Sequence, residues 1–322
     1  MWAITSLSPV AGYYEMGENR YMGGHGIKKP VISRAERLTD ARMKILEQKW
    51  GTGELSFNHQ VLCQLALPYR NPDPINFFER SSGTAYIRVN AGEVPDSYGK
   101  FREVGVPYGT KSRLILILLS TLAVRNRSRT IPIDNSFRRF CAEAGVTMSA
   151  RNAKQMKEQL LRLSACSLKL AVESHTKVVQ FQGHVFSEFS IQIPVDERQQ
   201  FLWDTHVKFS HEFYESLVDN AVPFDREAIL ALKHSCRAMD IYLWLASTLF
   251  RRTRRTMIRW TSLQYQFGDR LQDINGFKRA FKEALRQALV VYPKARVQVI
   301  DGGLCLDPSP PPVPTKSMRR LM

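Results

Sequence analysis

One order of segments occurs twice in this sequence: an apolar helix, a short extended piece, a brief helix, a turn, a long amphipathic helix, and a hairpin. In the first occurrence residues 114–124 are the most apolar stretch, and Thr110 is placed to cap a helix there. Residues 131–133 read as extended. Asp134 or Ser136 starts a helix over 137–144 that Gly145 ends, and a third helix is expected from about Ser149 to Cys166. Two β-like stretches follow, 167–172 and 178–193, the latter bent near Gly183. In the second occurrence Pro223 and Asp225 open a helix over 226–232, and 237–250 is strongly apolar. Residues 257–260 read as a short strand, and Thr261 caps a brief helix that Gly268 stops. Asp273 or Asn275 opens a long helix to Val291, and a hairpin over 295–306 turns at Gly302-Gly303.

Helix, short strand, helix, turn, helix, hairpin is the order of a winged helix-turn-helix. The expected fold is therefore α+β and mainly helical, with two tandem winged helix-turn-helix domains behind an N-terminal arm. The boundaries read as 1–53 for a partly disordered arm and 54–200 for the first domain with a β lead-in. The second domain covers 201–306, and 307–322 is a proline-rich basic tail. The segment 34–50 is polar, charged and free of interior proline, so it reads as a helix loosely attached within the arm.

In such a fold the third helix enters the major groove, packing one face on its domain and offering the other to base edges. In the first domain Ala153, Met156, Leu160 and Leu163 form the apolar stripe. Arg151, Lys154, Gln155, Glu158 and Arg162 lie opposite, and Ser149 stands at the helix start, where a phosphate can sit. In the second domain Phe277, Ala280, Phe281, Ala284, Leu285, Ala288 and Leu289 make the stripe. The outer face carries Asn275, Arg279, Lys282, Glu283 and Arg286. Arg251, Arg252, Arg254, Arg255 and Arg259 cluster between helix and strand and read as phosphate contacts that position without specifying. For each of these features a merely solvated charged face or linker is the competing reading.

Charge favours the DNA reading. Lys and Arg number 46 against 30 Asp and Glu, a formal +16 with a pI of about 9.8. A polyanionic partner suits that balance, because paired phosphates release condensed counterions. The five cysteines (63, 141, 166, 236 and 305) are scattered and never form C-x-x-C, so they read as reduced core residues of a cytoplasmic protein. No signal peptide or membrane-length apolar run is evident. P-loop, G-x-G-x-x-G, G-x-S-x-G and H-E-x-x-H sequences are absent, so no cofactor, metal or enzymatic role is expected. The one catalytic fragment, His234-Ser-Cys-Arg237, has the H-x-x-R spacing of tyrosine recombinases. A four-letter match is weak, and it reads more simply as a helix end with basic side chains over its carbonyls.

Several segments together resemble the plasmid RepA replication initiators. These are Gly105-Val-Pro-Tyr-Gly109, the Glu158–Leu163 stretch EQLLRL, Pro223-Phe-Asp-Arg-Glu-Ala-Ile-Leu-Ala-Leu-Lys233 and Ala238-Met-Asp-Ile-Tyr-Leu-Trp-Leu245. Gln266-Phe-Gly268, the 277–289 helix, Tyr292-Pro293 and Gly302-Gly303-Leu304 continue the series, over roughly residues 55–312. The resemblance implies a non-enzymatic protein that binds repeated double-stranded sites at a plasmid origin. It also implies help in opening the duplex, recruitment of host replication proteins and repression of its own promoter. A homodimer stays open. The runner-up is a winged-helix transcriptional repressor, and a recombinase-type strand-transferase is the enzymatic alternative. If the two reading helices act as tandem half-site readers, they lie about one helical turn, near 34 Å, apart on the DNA.

Overall fold

Leu38 and Ala41 are three residues apart on an otherwise polar segment, and they bury the inner face of the first helix, α1 (Arg34–Glu47). That face lies against helices formed by residues 226–232 and 274–291. The computed structural model describes residues 33–47, 54–83, 85–95, 98–132, 137–173, 178–190, 206–268 and 273–314. Of the expected arm, 1–32 and 48–53 lie outside the described residues, while α1 is a packed part of the unit Arg34–Met322.

The lead-in comprises β1 (Leu55–His59), α2 (Gln60–Gln64), β2 (Phe77–Ser82), β3 (Ala85–Asn90), β4 (Glu93–Pro95) and β5 (Phe101–Glu103). Then come α3 (Gly109–Asn126), β6 (Thr130–Pro132), α4 (Phe137–Glu143) and α5 (Ala150–Ala165). Apolar on nearly every face, α3 is buried nearly all round, as such a helix must be. Its start departs from the expected Thr110 cap: Tyr108 holds the cap position without a side-chain bond, and Thr110 lies inside the helix. Ser149 does cap α5, its hydroxyl accepting the Asn152 N–H at 3.2 Å.

After α5 the chain differs from the hairpin expected over 167–193. It forms β7 (Ser167–Glu173), β8 (Val178–His184) and a separate strand, β9 (Phe186–Ser190). The first two join β2 and β3 in a four-stranded antiparallel sheet of order β2-β3-β7-β8. β9 pairs instead with β10 (His206–Phe209), which also pairs with β6, giving a three-stranded sheet of order β6-β10-β9. Buried Val185 and Phe186 mark where the chain leaves one sheet for the other. Gly183, the expected bend, remains paired with Leu168.

The second half comprises α6 (His211–Asp219), β11 (Ala221–Asp225), α7 (Arg226–Leu232) and α8 (Cys236–Thr248). A 3₁₀ turn, β12 (Thr256–Arg259), α9 (Trp260–Phe267), α10 (Ile274–Val291), β13 (Val297–Ile300) and β14 (Gly303–Leu306) complete it. Asp225 caps α7 and Asp273 caps α10, as read from the sequence. Thr261 does not cap α9: Arg259 holds that position without a side-chain bond. The closing sheet has the order β12-β14-β13. The two three-stranded sheets therefore share one plan. In each, the strand after the first helix pairs with a later strand that sits in the middle, β10 between β6 and β9 and β14 between β12 and β13.

The two halves are joined through their cores. β1 pairs with β11, and one cluster of buried apolar side chains runs from Leu38 to Val313. Arg113 of α3 and Asp240 of α8 form a bidentate pair at 2.7 and 2.8 Å, with side chains only 4% and 5% exposed. Part of the expected tail is likewise packed. Val313 is fully buried, the Tyr292 hydroxyl donates to Pro310 O at 2.8 Å, and the Arg296 N–H donates to Ser309 Oγ at 3.0 Å. Lys316, Arg319 and Arg320 lie outside the described residues. Among the described residues no helix is long and apolar enough to cross a membrane.

Candidate nucleic-acid interface

The apolar stripe of α10 fixes which side chains it can present. Phe277, Phe281, Ala284, Leu285 and Ala288 are buried, leaving Asn275, Arg279, Lys282, Glu283 and Arg286 exposed. Asp273 Oδ1 accepts the Asn275 and Gly276 N–H groups at 2.9 and 2.8 Å, so these orphan amides of the helix start are satisfied. Those two bonds hold the Asp273 carboxyl below the usual range, the Gly276 bond first. Arg279 is left exposed on the first two turns. The Lys282 ammonium sits 5.6 Å from the Trp260 ring centroid, and the Trp260 indole donates to Asp301 O at 3.0 Å. The turn of the β13–β14 hairpin thus stands beside the exposed face of α10. Gly303 makes this possible: a Cβ there would fall 1.9 Å from Ile258 O. Arg286 pairs with Glu283 at 2.9 Å, a solvent-exposed i,i+3 contact that competing phosphates can displace.

On α5 the expected face divides. Ser149, Arg151 and Lys154 are exposed, and Gln155 is half-buried. The next turn faces inward. Arg162 is 7% exposed. It binds Asp73 through both carboxylate oxygens at 3.1 and 2.8 Å, Glu158 at 3.1 Å, and Val106 O at 3.0 Å. Its guanidinium also lies 4.9 Å from the Tyr108 ring centroid, and the Tyr108 hydroxyl donates to Glu158 at 3.1 Å. Arg162 is therefore an internal anchor, not a base reader. Periodicity placed it correctly around the helix but could not show that the 71–76 and 105–108 loops cover that side. Gly105, at φ +70°, admits the contact, since a Cβ there would lie 2.4 Å from Asp73 Oδ1 and 2.5 Å from Arg162 Nη1. The exposed polar face of α5 is thus confined to its first two turns. Lys111 is a basic neighbour not identified from the sequence. Burial first, and then the charge of Arg151, lower its pKa.

The arginine cluster is divided by β12. Arg259 lies at the end where β12 meets Gly303, close to Trp260 and the hairpin turn. Arg251, Arg252, Arg254 and Arg255 lie at the other end, about 13 Å away along a four-residue strand. Arg251 stacks on Phe250 at 5.3 Å, and Arg252 is half-buried, its pKa lowered by burial. Arg255 contacts Gln298 and Asp307, the latter at 3.5 Å. Arg254 is exposed. Of the five, Arg259 lies nearest to Trp260 and the hairpin turn beside α10.

The recombinase-like fragment does not assemble around a tyrosine nucleophile at Tyr242. That residue is fully buried, its hydroxyl accepting the Asp225 N–H at 3.1 Å.

Three of the other motifs, through Asp240, Lys233 and Gln266, tie the halves together, and Gly109 bonds within the first half. Gly109 O accepts from Arg113 at 2.7 Å, and Asp240 is the aspartate of Ala238-Met-Asp. Lys233 Nζ donates to Gly145 O at 2.6 Å. Gln266 Nε2 donates to Gln64 O at 2.7 Å, and Phe267 packs on Trp244 and Phe281.

Residues 106–261 match the family model RepA_C, described as "Plasmid encoded RepA protein". Among solved structures, the "Crystal structure of SeMet derivatives of domain2 and domain 3 of RctB" aligns at 13% identity and a TM-score of 0.47, covering 79% of this chain and 99% of that one. The "Crystal structure of the RctB domains 2-3, RctB-155-483" aligns at 12% identity and a TM-score of 0.44, covering 76% and 94%. No curated protein matches the sequence. The quoted motifs before residue 106 and after 261 lie outside the matched span. Within it, from Val106 of the Gly105–Gly109 loop to Thr261 in α9, the chain matches the plasmid-encoded RepA family, as its motifs implied.

Proposed function

We propose that this chain is a non-enzymatic replication initiator that binds repeated double-stranded DNA sites at a plasmid origin. It does so with two winged helix-turn-helix modules. One observation carries the reading. Each of α5 and α10 is third in a helix–strand–helix–helix order closed by a three-stranded sheet of the same strand plan. Each also presents basic and amide side chains to solvent from its first turns. Arg151 and Arg279 read bases, and Lys154, Gln155, Asn275 and Lys282 extend those surfaces. Ser149 and the start of α5 hold a phosphate, and Arg254 and Arg259 add backbone contacts. Duplex opening, recruitment of host replication proteins and self-repression follow from the RepA resemblance.

A footprint on fragmented DNA of the chain's own replicon, at about 150 mM salt to suppress nonspecific binding, tests this. Several evenly spaced protected repeats are expected. A single protected promoter palindrome makes the protein a repressor, and a covalent protein–DNA adduct makes it a strand-transferase. No protection overturns the DNA reading.

A further inference from the structure

Arg80 points from β2 toward the second half of the molecule and is 9% exposed. Its guanidinium is held between two aromatic faces, 5.3 Å from the Tyr69 ring centroid and 5.0 Å from that of Phe78. Nη2 donates to Gly268 O at 2.9 Å, whereas the buried Nη1 has no partner among the described residues. The neighbouring Glu79 is committed to Arg88 at 2.8 Å. Among the described residues no carboxylate pairs with Arg80. A desolvated guanidinium with an open donor is costly unless something anionic or polar completes it.

Arg80 lines a groove of about 750 Å³ between β2 and α9. Tyr69, whose buried hydroxyl also has no partner among the described residues, lines the same groove. The rim carries exposed apolar and aromatic side chains, with Tyr265 80% exposed, Ile75 40% and Phe77 37%, beside polar side chains that include Glu79, Thr261 and Gln264. Exposed Arg70 adds a second cation. Nucleic-acid backbones are held by several exposed cations spaced along a track. Here Arg80 is fixed inward between two aromatic faces beside an apolar rim, which suits a single charged group attached to apolar surface.

We infer that the β2–α9 groove docks an acidic peptide segment of a partner protein, with a carboxylate on Arg80 Nη1 and an adjacent apolar side chain against Tyr265, Ile75 and Phe77. Charge complementarity selects the partner, because the chain carries +16 overall and the groove's open donors come from Arg80 and Tyr69. A charge-assisted bond in a desolvated setting gives orientation, and the apolar rim gives contact area. The DNA reading is not needed for this assignment, since none of the groove residues is a proposed base reader.

The test is selection of phage-displayed random peptides on the immobilised full-length chain at about 150 mM salt, where surface attraction is screened. Enriched peptides are then synthesised and titrated. The expected peptides carry Asp or Glu within two positions of Leu, Ile or Phe. They bind about tenfold or more weakly to Arg80→Gln and to Tyr265→Ala, while Arg286→Ala binds them as the parent does. Tyr265 is largely exposed, so its variant carries the test if Arg80→Gln misfolds. Both groove variants that fold are expected to retain the parent's DNA affinity. No enrichment, winners without an acidic residue, or winners indifferent to both groove variants would overturn the assignment. Displacement of the peptides by a single-stranded oligothymidine, or loss of DNA affinity in Tyr265→Ala, would reassign the groove to nucleic acid.

Discussion

Replacing Asp240 by asparagine removes the carboxylate paired with a guanidinium that is 4% exposed. Every donor of Arg113 is used. Nε and Nη2 donate to Asp240, Nη2 to Leu67 O at 2.6 Å, and Nη1 to Gly109 O and Pro68 O at 2.7 and 3.2 Å. Burial opposes the charge of Arg113, but Asp240 more than offsets it and raises the pKa, so deprotonation offers no escape. The substituted amide keeps one acceptor and turns an N–H₂ group toward an N–H, leaving the charge uncompensated. Breaking a buried pair in this way costs about 3–5 kcal/mol. At about 2–4 °C per kcal/mol for a chain of this order, Tm falls by roughly 6–20 °C. Urea denaturation of Asp240→Asn, Arg113→Met and the Arg113→Met/Asp240→Leu double variant measures the coupling, with Asp240→Leu closing the cycle. The double variant loses less than the two single losses combined, by about 2 kcal/mol, because neither charge is then stranded. Asp240→Asn within about 1 kcal/mol of the parent, or coupling below about 0.5 kcal/mol, would refute the reasoning, since it would mean that water already reaches the guanidinium.

Arg151→Ala and Arg279→Ala each cost about 1–3 kcal/mol of binding and relax selection at one base position, read by affinities for a set of single-base operator variants. Arg254→Ala weakens all sequences alike and lowers the slope of log K against log salt by about one. Arg162→Ala lowers the denaturation midpoint by the equivalent of about 3 kcal/mol and leaves base preference unchanged, in contrast to Arg151→Ala. Burial lowers the pKa of His59 to about 4, where Nδ1 accepts the Val61 N–H at 3.1 Å. The unfolded state therefore binds more protons between pH 4 and the ordinary 6.5, and this contribution is lost as pH falls through that window. Asp225 is raised to about 6 from 3.8 by burial, so the native state binds more protons there and stability falls as pH rises from about 4 to about 6. Urea midpoints at a series of pH values are expected to favour His59→Asn progressively over the parent toward acid, and Asp225→Asn progressively toward neutrality.

What the sequence carried was local. The 277–289 stripe, the Asp225 and Asp273 caps and the Gly145 stop are short-range signals, and each falls where periodicity and capping chemistry put it. Sheet partnership was not local. The β-like stretches after α5 have ordinary strand composition, and nothing within them says that residues 167–184 join β2 and β3 while 186–190 pair across to β10. Arg162 was misassigned for the same reason. A cation on the outer arc of an amphipathic helix is exposed unless another segment arrives, and Asp73 comes from about ninety residues upstream. The side chains of Ser149, Arg151, Lys154, Asn275, Arg279, Lys282 and Arg286 were legible because exposure of a polar arc is what a packed apolar stripe enforces.

The family motifs and the candidate reading surfaces occupy different parts of the molecule. Lys233, Asp240 and Gln266 make contacts that hold one half to the other, whereas Arg151 and Arg279 face solvent. The matched span ends at residue 261, before α10 begins, so the match speaks to the joint between the halves and not to the second reading helix. Support for α10 is geometric: the repeated sheet plan, the Asp273 cap, and the Trp260–Asp301 bond that brings the hairpin turn to its exposed face. The two lines of support are therefore separable by experiment. Loosening the Arg113–Asp240 joint should disturb the spacing at which two sites are bound together, whereas Arg279→Ala should weaken one site and leave that spacing intact.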